Sequence, residues 1–86
     1  MASFVVETFV QAVVTVFPDV LLQWEDFAGH HAHALLDRYR DRLCTFNDDM
    51  QGTAATVLAA AFSAVRAAGS RICDQRVVIY GAGTAG

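Results

Sequence analysis

Phe4, Val5, Phe9, Ala12, Val13, Val16 and Phe17 recur at steps of three and four, which predicts a first helix with one inward apolar stripe, closed by Pro18. Val20, Leu21 and Leu22 then form a short unbroken apolar run, the signature of a buried strand. Gln23, Trp24, Glu25 and Asp26 follow without a gap, so two adjacent carboxylates stand at the C-terminal end of that strand, where open α/β sheets place their ligands. Over 28–42 the spacing is helical again, with Ala32, Leu35, Leu36 and Tyr39 inward and Asp37, Arg38, Arg40, Asp41 and Arg42 outward. A second apolar run, 43–46, leads into Asn47, Asp48 and Asp49, and residues 51–68 read as a long alanine-rich helix stopped by Gly69. The β-branched run at 76–80 predicts a last strand, feeding directly into Gly81, Ala82, Gly83, Thr84, Ala85 and Gly86. Strands alternating with helices make the fold class α/β.

Composition adjusts this picture in three ways. At 86 residues and 9.3 kDa the chain is one small domain at most, yet it is 55% hydrophobic with a mean hydropathy of +0.36, so it presents more apolar surface than it can bury by itself. A net charge of -3 provides no field for a polyanion, and the six basic residues, all arginines, are scattered; nucleic acid is not an expected partner. No apolar stretch reaches the roughly 18 residues of a membrane span. Glu7 and Gln11 interrupt the first apolar segment and no basic residue precedes it, which argues against a signal peptide. Cys44 and Cys73 lie far apart without ligand spacing, as expected of reduced, packing thiols in a cytoplasmic protein, although a mitochondrial location is also compatible.

Glu25, Asp26, Asp48 and Asp49 form two acidic pairs separated by one helix and one strand. Hard oxygen donors without sulfur or imidazole suit Mg²⁺ or Mn²⁺, whose charge would offset the mutual repulsion of the acids. The alternative is that these acids are solvated caps, Asp48 or Asp49 serving only as an N-terminal residue of the alanine-rich helix. His30, His31 and His33 lack a fourth partner for zinc and are expected to be exposed, while Trp24, Phe27, Phe46 and Phe62 are expected in the core or a pocket wall. A strand running into a GxGxxG turn is the entrance to a dinucleotide-binding βαβ unit. The helix and acidic residue that complete such a unit do not follow within these residues, so the chain reads as an internal fragment.

Together these segments resemble the malic enzymes. Residues 17–27, FPDVLLQWEDF, are similar to the family's FPxxLxQFEDF stretch, and Arg38, Tyr39 and Arg40 to its KYR helix end. Residues 44–55, CTFNDDMQGTAA, are similar to its CTFNDDIQGTAA signature, and the GAGxAG turn follows at the proper distance. Trp24 stands for a usual Phe and Met50 for a usual Ile. The resemblance implies residues 1–50 as the end of a substrate and metal domain and 51–86 as the start of a Rossmann-type NAD(P)-binding domain. It implies Glu25, Asp26 and Asp49 as ligands of Mg²⁺ or Mn²⁺, and Asp48 as the carboxylate that tunes a catalytic lysine. Asp49 with Gly81, Ala82, Gly83, Thr84, Ala85 and Gly86 would form the cofactor-binding set.

The implied reaction is the oxidative decarboxylation of malate. Hydride passes from C2 to NAD or NADP, and the ion polarises the keto oxygen as CO₂ leaves. The family's tyrosine, lysine and substrate-binding arginine lie upstream, and this chain contains no lysine, so these 86 residues alone are expected to be inactive. The intact enzyme is expected to be a dimer or tetramer. A malolactic enzyme, which makes lactate and CO₂ on a similar scaffold, and a non-enzymatic helical interaction module are the alternative readings.

Overall fold

A computed structural model describes residues 3–86, and its first helix, α1 (Ser3–Val16), ends where Pro18 forbids another turn. The Phe17 N–H still reaches the Val13 carbonyl at 2.7 Å, and the Val20 N–H closes a turn on the Phe17 carbonyl at 3.2 Å. The helix is rotated away from the expected stripe. Val6 and Val10 are buried, with Val14 packed behind them, whereas Phe4, Val5, Phe9, Val16 and Phe17 are exposed. Glu7 explains the rotation: its carboxylate accepts the Tyr39 hydroxyl and Arg38 Nη2, each at 2.7 Å, and Arg42 Nη2 at 3.2 Å. Facing Glu7 toward these donors turns Val6 and Val10 inward as well.

β1 (Leu22–Trp24) and β2 (Thr45–Asn47) pair in parallel, Leu22 opposite Thr45 and Trp24 opposite Asn47. The strand expected at 20–22 is therefore displaced. Val20 and Leu21 are exposed because the Val20 N–H is committed to the turn after Pro18, and pairing starts only where the Leu22 N–H reaches the Cys44 carbonyl at 2.9 Å. The Thr45 hydroxyl reinforces that register by donating to the Leu22 carbonyl at 2.6 Å.

Between the strands runs α2 (Gly29–Tyr39), which buries Ala32, Leu35, Leu36 and Tyr39, the face its spacing predicts. Arg38 and Arg42, expected in solvent, instead bond to Glu7 and lie over the Tyr39 ring at 5.3 and 5.1 Å from its centre. Trp24 occupies the middle of the core. It meets Phe9 and Phe27 edge-on, with ring centres 6.4 and 6.0 Å away, and lies tilted on Tyr39 at 5.8 Å.

After β2 the chain makes one π-helical turn, Asp48–Gly52, and only then enters α3 (Thr53–Ala67). The helix expected over 51–68 thus starts through a wider turn. It stops as expected: Gly69 sits at φ +65°, its N–H bonds the Arg66 carbonyl at 3.2 Å, and the Ser70 N–H bonds the Val65 carbonyl at 2.9 Å. No described residue of α3 is buried, and Phe62, expected in the core or a pocket wall, is exposed along with Val57 and Leu58. A short 3-10 turn, Ile72–Asp74, follows. The strand expected at 76–80 does not form; Val77, Val78, Ile79 and Tyr80 are exposed, and the only sheet among the described residues pairs β1 with β2. A β-branched run favours a strand chiefly through packing against neighbouring strands, and the described residues place none beside it. Cys44 and Cys73 are free thiols, exposed rather than packed.

Candidate functional site

Parallel pairing carries both acidic pairs to the same end of the sheet. Glu25 and Asp26 follow Trp24 at the end of β1, and Asp48 and Asp49 follow Asn47 at the end of β2, with Trp24 and Asn47 directly opposite each other. The two corners are joined by a hydrogen bond, the Asp26 backbone N–H donating to Asp49 Oδ2 at 2.8 Å. Asp26 makes this bond from a left-handed backbone conformation, φ 60°, and is the one non-glycine residue with positive φ among the described residues. Such a conformation costs roughly 1–2 kcal/mol for an L-residue, least for Asp or Asn, and it persists here against the Asp49 carboxylate. Strain of this kind concentrates at functional sites.

The π-turn sets the two acids of the second pair in different directions. While Asp49 reaches across to Asp26, Asp48 folds back over Gly52, so closely that a Cβ at position 52 would overlap the Asp48 carboxyl. Asn47, the last residue of β2, caps the turn: its Oδ1 accepts the Met50 N–H at 2.9 Å, and its own N–H donates to Gln51 Oε1 at 3.0 Å. The sequence reading assigns no site role to Asn47, Gln51 or Gly52. An Asn followed four residues later by Gln, just before an apolar helix, resembles the reciprocal capping signal that could have marked them.

Of the three acids implied as ligands, the structure brings Asp26 and Asp49 together. Glu25 stands beside them in the chain, its carboxylate accepting Gln23 Nε2 at 3.5 Å. Among the described residues no three His, Cys, Asp or Glu side chains gather closely enough to share one ion. The donor chemistry of the corner still fits a hard cation. Its acids offer oxygen only, and the described ion pairs, Glu7 with Arg38 and Arg42, Asp37 with Arg40 and Asp74 with Arg71, leave all four of them aside. His30 and His31 stack with ring centres 3.9 Å apart at the start of α2. Burial, then the neighbouring His30, holds His31 below the ordinary imidazole pKa.

The glycine-rich turn lies against this same end. Thr84 donates its hydroxyl to the Phe27 carbonyl at 3.0 Å, one residue beyond Asp26, and packs on Gly29. Gly81, at φ +136°, holds a backbone conformation open only to glycine. Beside Glu25, on the α1 side of β1, runs a groove of about 440 Å³ lined mainly by Val5, Val6, Phe9, Leu22, Trp24 and Phe27. Its apolar walls suit packing better than they suit a doubly charged acid. No described helix is long and apolar enough to cross a membrane.

Two family models match the chain: residues 2–40 match the malic enzyme, N-terminal domain, and residues 50–86 the malic enzyme, NAD binding domain. Among curated proteins, the NAD-dependent malic enzyme of Edwardsiella ictaluri is 60% identical over 81 residues, and that of Erwinia tasmaniensis is 57% identical over 81 residues. The NAD-dependent malic enzyme of Vibrio campbellii is 53% identical over the same length. Each alignment covers 94% of this chain and 14% of the relative, so the chain spans about one seventh of the length of the proteins it matches.

Proposed function

Since the chain belongs to the malic enzyme family, we propose that it forms part of an NAD-dependent malic enzyme, which oxidatively decarboxylates (S)-malate to pyruvate and CO₂ while reducing NAD⁺. The observation that carries this reading furthest is the bond between Asp49 and the Asp26 N–H, which ties two acid corners, 23 residues apart in sequence, into one oxygen-rich site. We assign Asp49, Asp26 and the adjoining Glu25 to an Mg²⁺ or Mn²⁺ ion. That ion would supply Lewis-acid polarisation of the substrate oxygen. Asp49 uses one oxygen to hold the Asp26 backbone in its strained conformation, which presents both carboxylates at the sheet end. Asp48, turned away over Gly52, is left as the separate carboxylate that orients a proton-transferring group.

The turn from Gly81 to Gly86 is the element we assign to the dinucleotide phosphates, its exposed backbone amides being suited to an anion. Thr84 would then set the distance between cofactor and metal by anchoring the turn to the Phe27 carbonyl. We take the boundary between the metal-bearing and Rossmann-type domains to lie at Met50, and the intact enzyme to be a cytoplasmic dimer or tetramer. The exposed apolar faces of α1 and α3 favour assembly with further protein surface. The decisive measurement is a Mn²⁺ titration of the intact enzyme. Asp49→Asn is expected to weaken binding by more than the roughly 10- to 100-fold that loss of an outer partner costs. An unchanged affinity would rule out the metal assignment.

A further inference from the structure

Asn47 directs its hydrogen bonds to Met50 and Gln51 rather than to the acids assigned to chemistry, and we infer that it is the positioning residue of the metal corner. The inference rests on the reading of Asp26 and Asp49 as ion ligands. Apart from Tyr39, whose hydroxyl is held by Glu7, Asn47 is the one side chain bearing hydrogen-bonding groups that is fully buried among the described residues, at 0% exposure. It stands in extended conformation, φ -103° and ψ 119°, at the point where β2 gives way to the π-turn. Its Oδ1 holds the Met50 N–H and its N–H holds Gln51 Oε1, so the turn is latched at its start from both directions. The residue following Asn47 by two is Asp49, whose Oδ2 meets the Asp26 N–H at 2.8 Å.

Packing alone does not ask for asparagine at this place. Its Nδ2 is buried without a hydrogen-bond partner among the described residues, which makes the amide less favourable there than an apolar side chain of equal size. What asparagine contributes is the cap. Without Oδ1 the Met50 N–H loses its acceptor, and the wide turn can tighten toward an ordinary helical start. That rotation would carry Asp49 away from Asp26 and separate the two ligands. Single π-helical turns inside helices occur frequently at functional sites, and here the turn sets the spacing between two adjacent acids.

The test is Mn²⁺ binding by the intact enzyme, followed by the electron-spin resonance of free Mn²⁺, in Asn47→Ala, Asn47→Ser and Asp49→Asn, with far-UV circular dichroism and melting as measures of folding. Asn47→Ala is expected to bind Mn²⁺ about 10- to 100-fold more weakly while remaining folded. Asn47→Ser, whose hydroxyl caps a turn comparably, is expected to stay within about threefold of wild type. If Asn47→Ala binds within about twofold of wild type while Asp49→Asn has lost the ion, the positioning role is overturned and the metal assignment stands. If Asp49→Asn also binds normally, the metal assignment fails and takes the role of Asn47 with it. Should Asn47→Ala not fold, Asn47→Leu fills the same space without the cap. Weaker Mn²⁺ binding by the Leu than by the Ser variant then supports the inference, and equal binding refutes it.

Discussion

A methyl group at position 52 would collide with the carboxyl of Asp48, and because that carboxyl ends a short rotatable side chain, it is the group that would move. Gly52→Ala is therefore expected to displace Asp48 while leaving the bond between Asp49 and Asp26 in place. Misplacement of a catalytic group by about 1 Å costs on the order of 100-fold in rate. Turnover of the intact enzyme should fall to that extent in Gly52→Ala, and comparably in Asp48→Asn, with Mn²⁺ affinity nearly unchanged in both. Steady-state kinetics beside a Mn²⁺ titration checks this, and equal loss of metal binding in the two variants would mean that Asp48 is itself a ligand. The candidate acids were legible in the sequence because carboxylates at strand ends identify themselves by type and position. The spacing of Asn47 and Gln51 carries a capping signal, but the contact between Asp48 and Gly52 is not legible, since it depends on the width of the π-turn. The left-handed backbone of Asp26 was equally hidden, as it follows from a partner 23 residues away.

Among the elements, α2 was the most legible: every residue its spacing placed inward is buried. The orientation of α1 is not legible in its spacing because its apolar residues encircle the helix, so a polar residue decides which side faces in. Glu7 is that residue. Its pKa is brought from the ordinary 4.5 down to about 2, chiefly by the Tyr39 hydroxyl, then by Gln11 and Arg42. A group depressed on folding adds stability above its unfolded pKa and loses it as pH falls toward the folded value. Acid unfolding between pH 4.5 and about 2 should thus include a contribution from Glu7. Glu7→Gln should lower stability near neutral pH and flatten the decline across that interval, as read from melting temperature against pH. A parallel decline in wild type and variant would show that the cluster does not hold α1. The run at 76–80 failed as a strand for a reason of the same kind, since a strand is defined by neighbours that its own residues do not specify.

For the molecule as a whole, exposure is the dominant fact. Val77, Val78, Ile79 and Tyr80 are 71–103% exposed, and α3 buries none of its described residues. The purified 86-residue chain is expected to associate in solution and to reduce no NAD⁺ in the presence of malate and Mn²⁺, since it holds no lysine to move the proton. Sedimentation velocity and an absorbance assay at the NADH maximum test the two statements, and measurable turnover would contradict the second. Parallel pairing also means that each acidic corner belongs to its own strand-to-helix unit, with the exposed link around residues 40–42 as the covalent tie between them. A protease nick in that link would leave each acidic corner attached to its own strand. An ion bound as proposed would then act as a clasp between two peptides, and a chelator would loosen them.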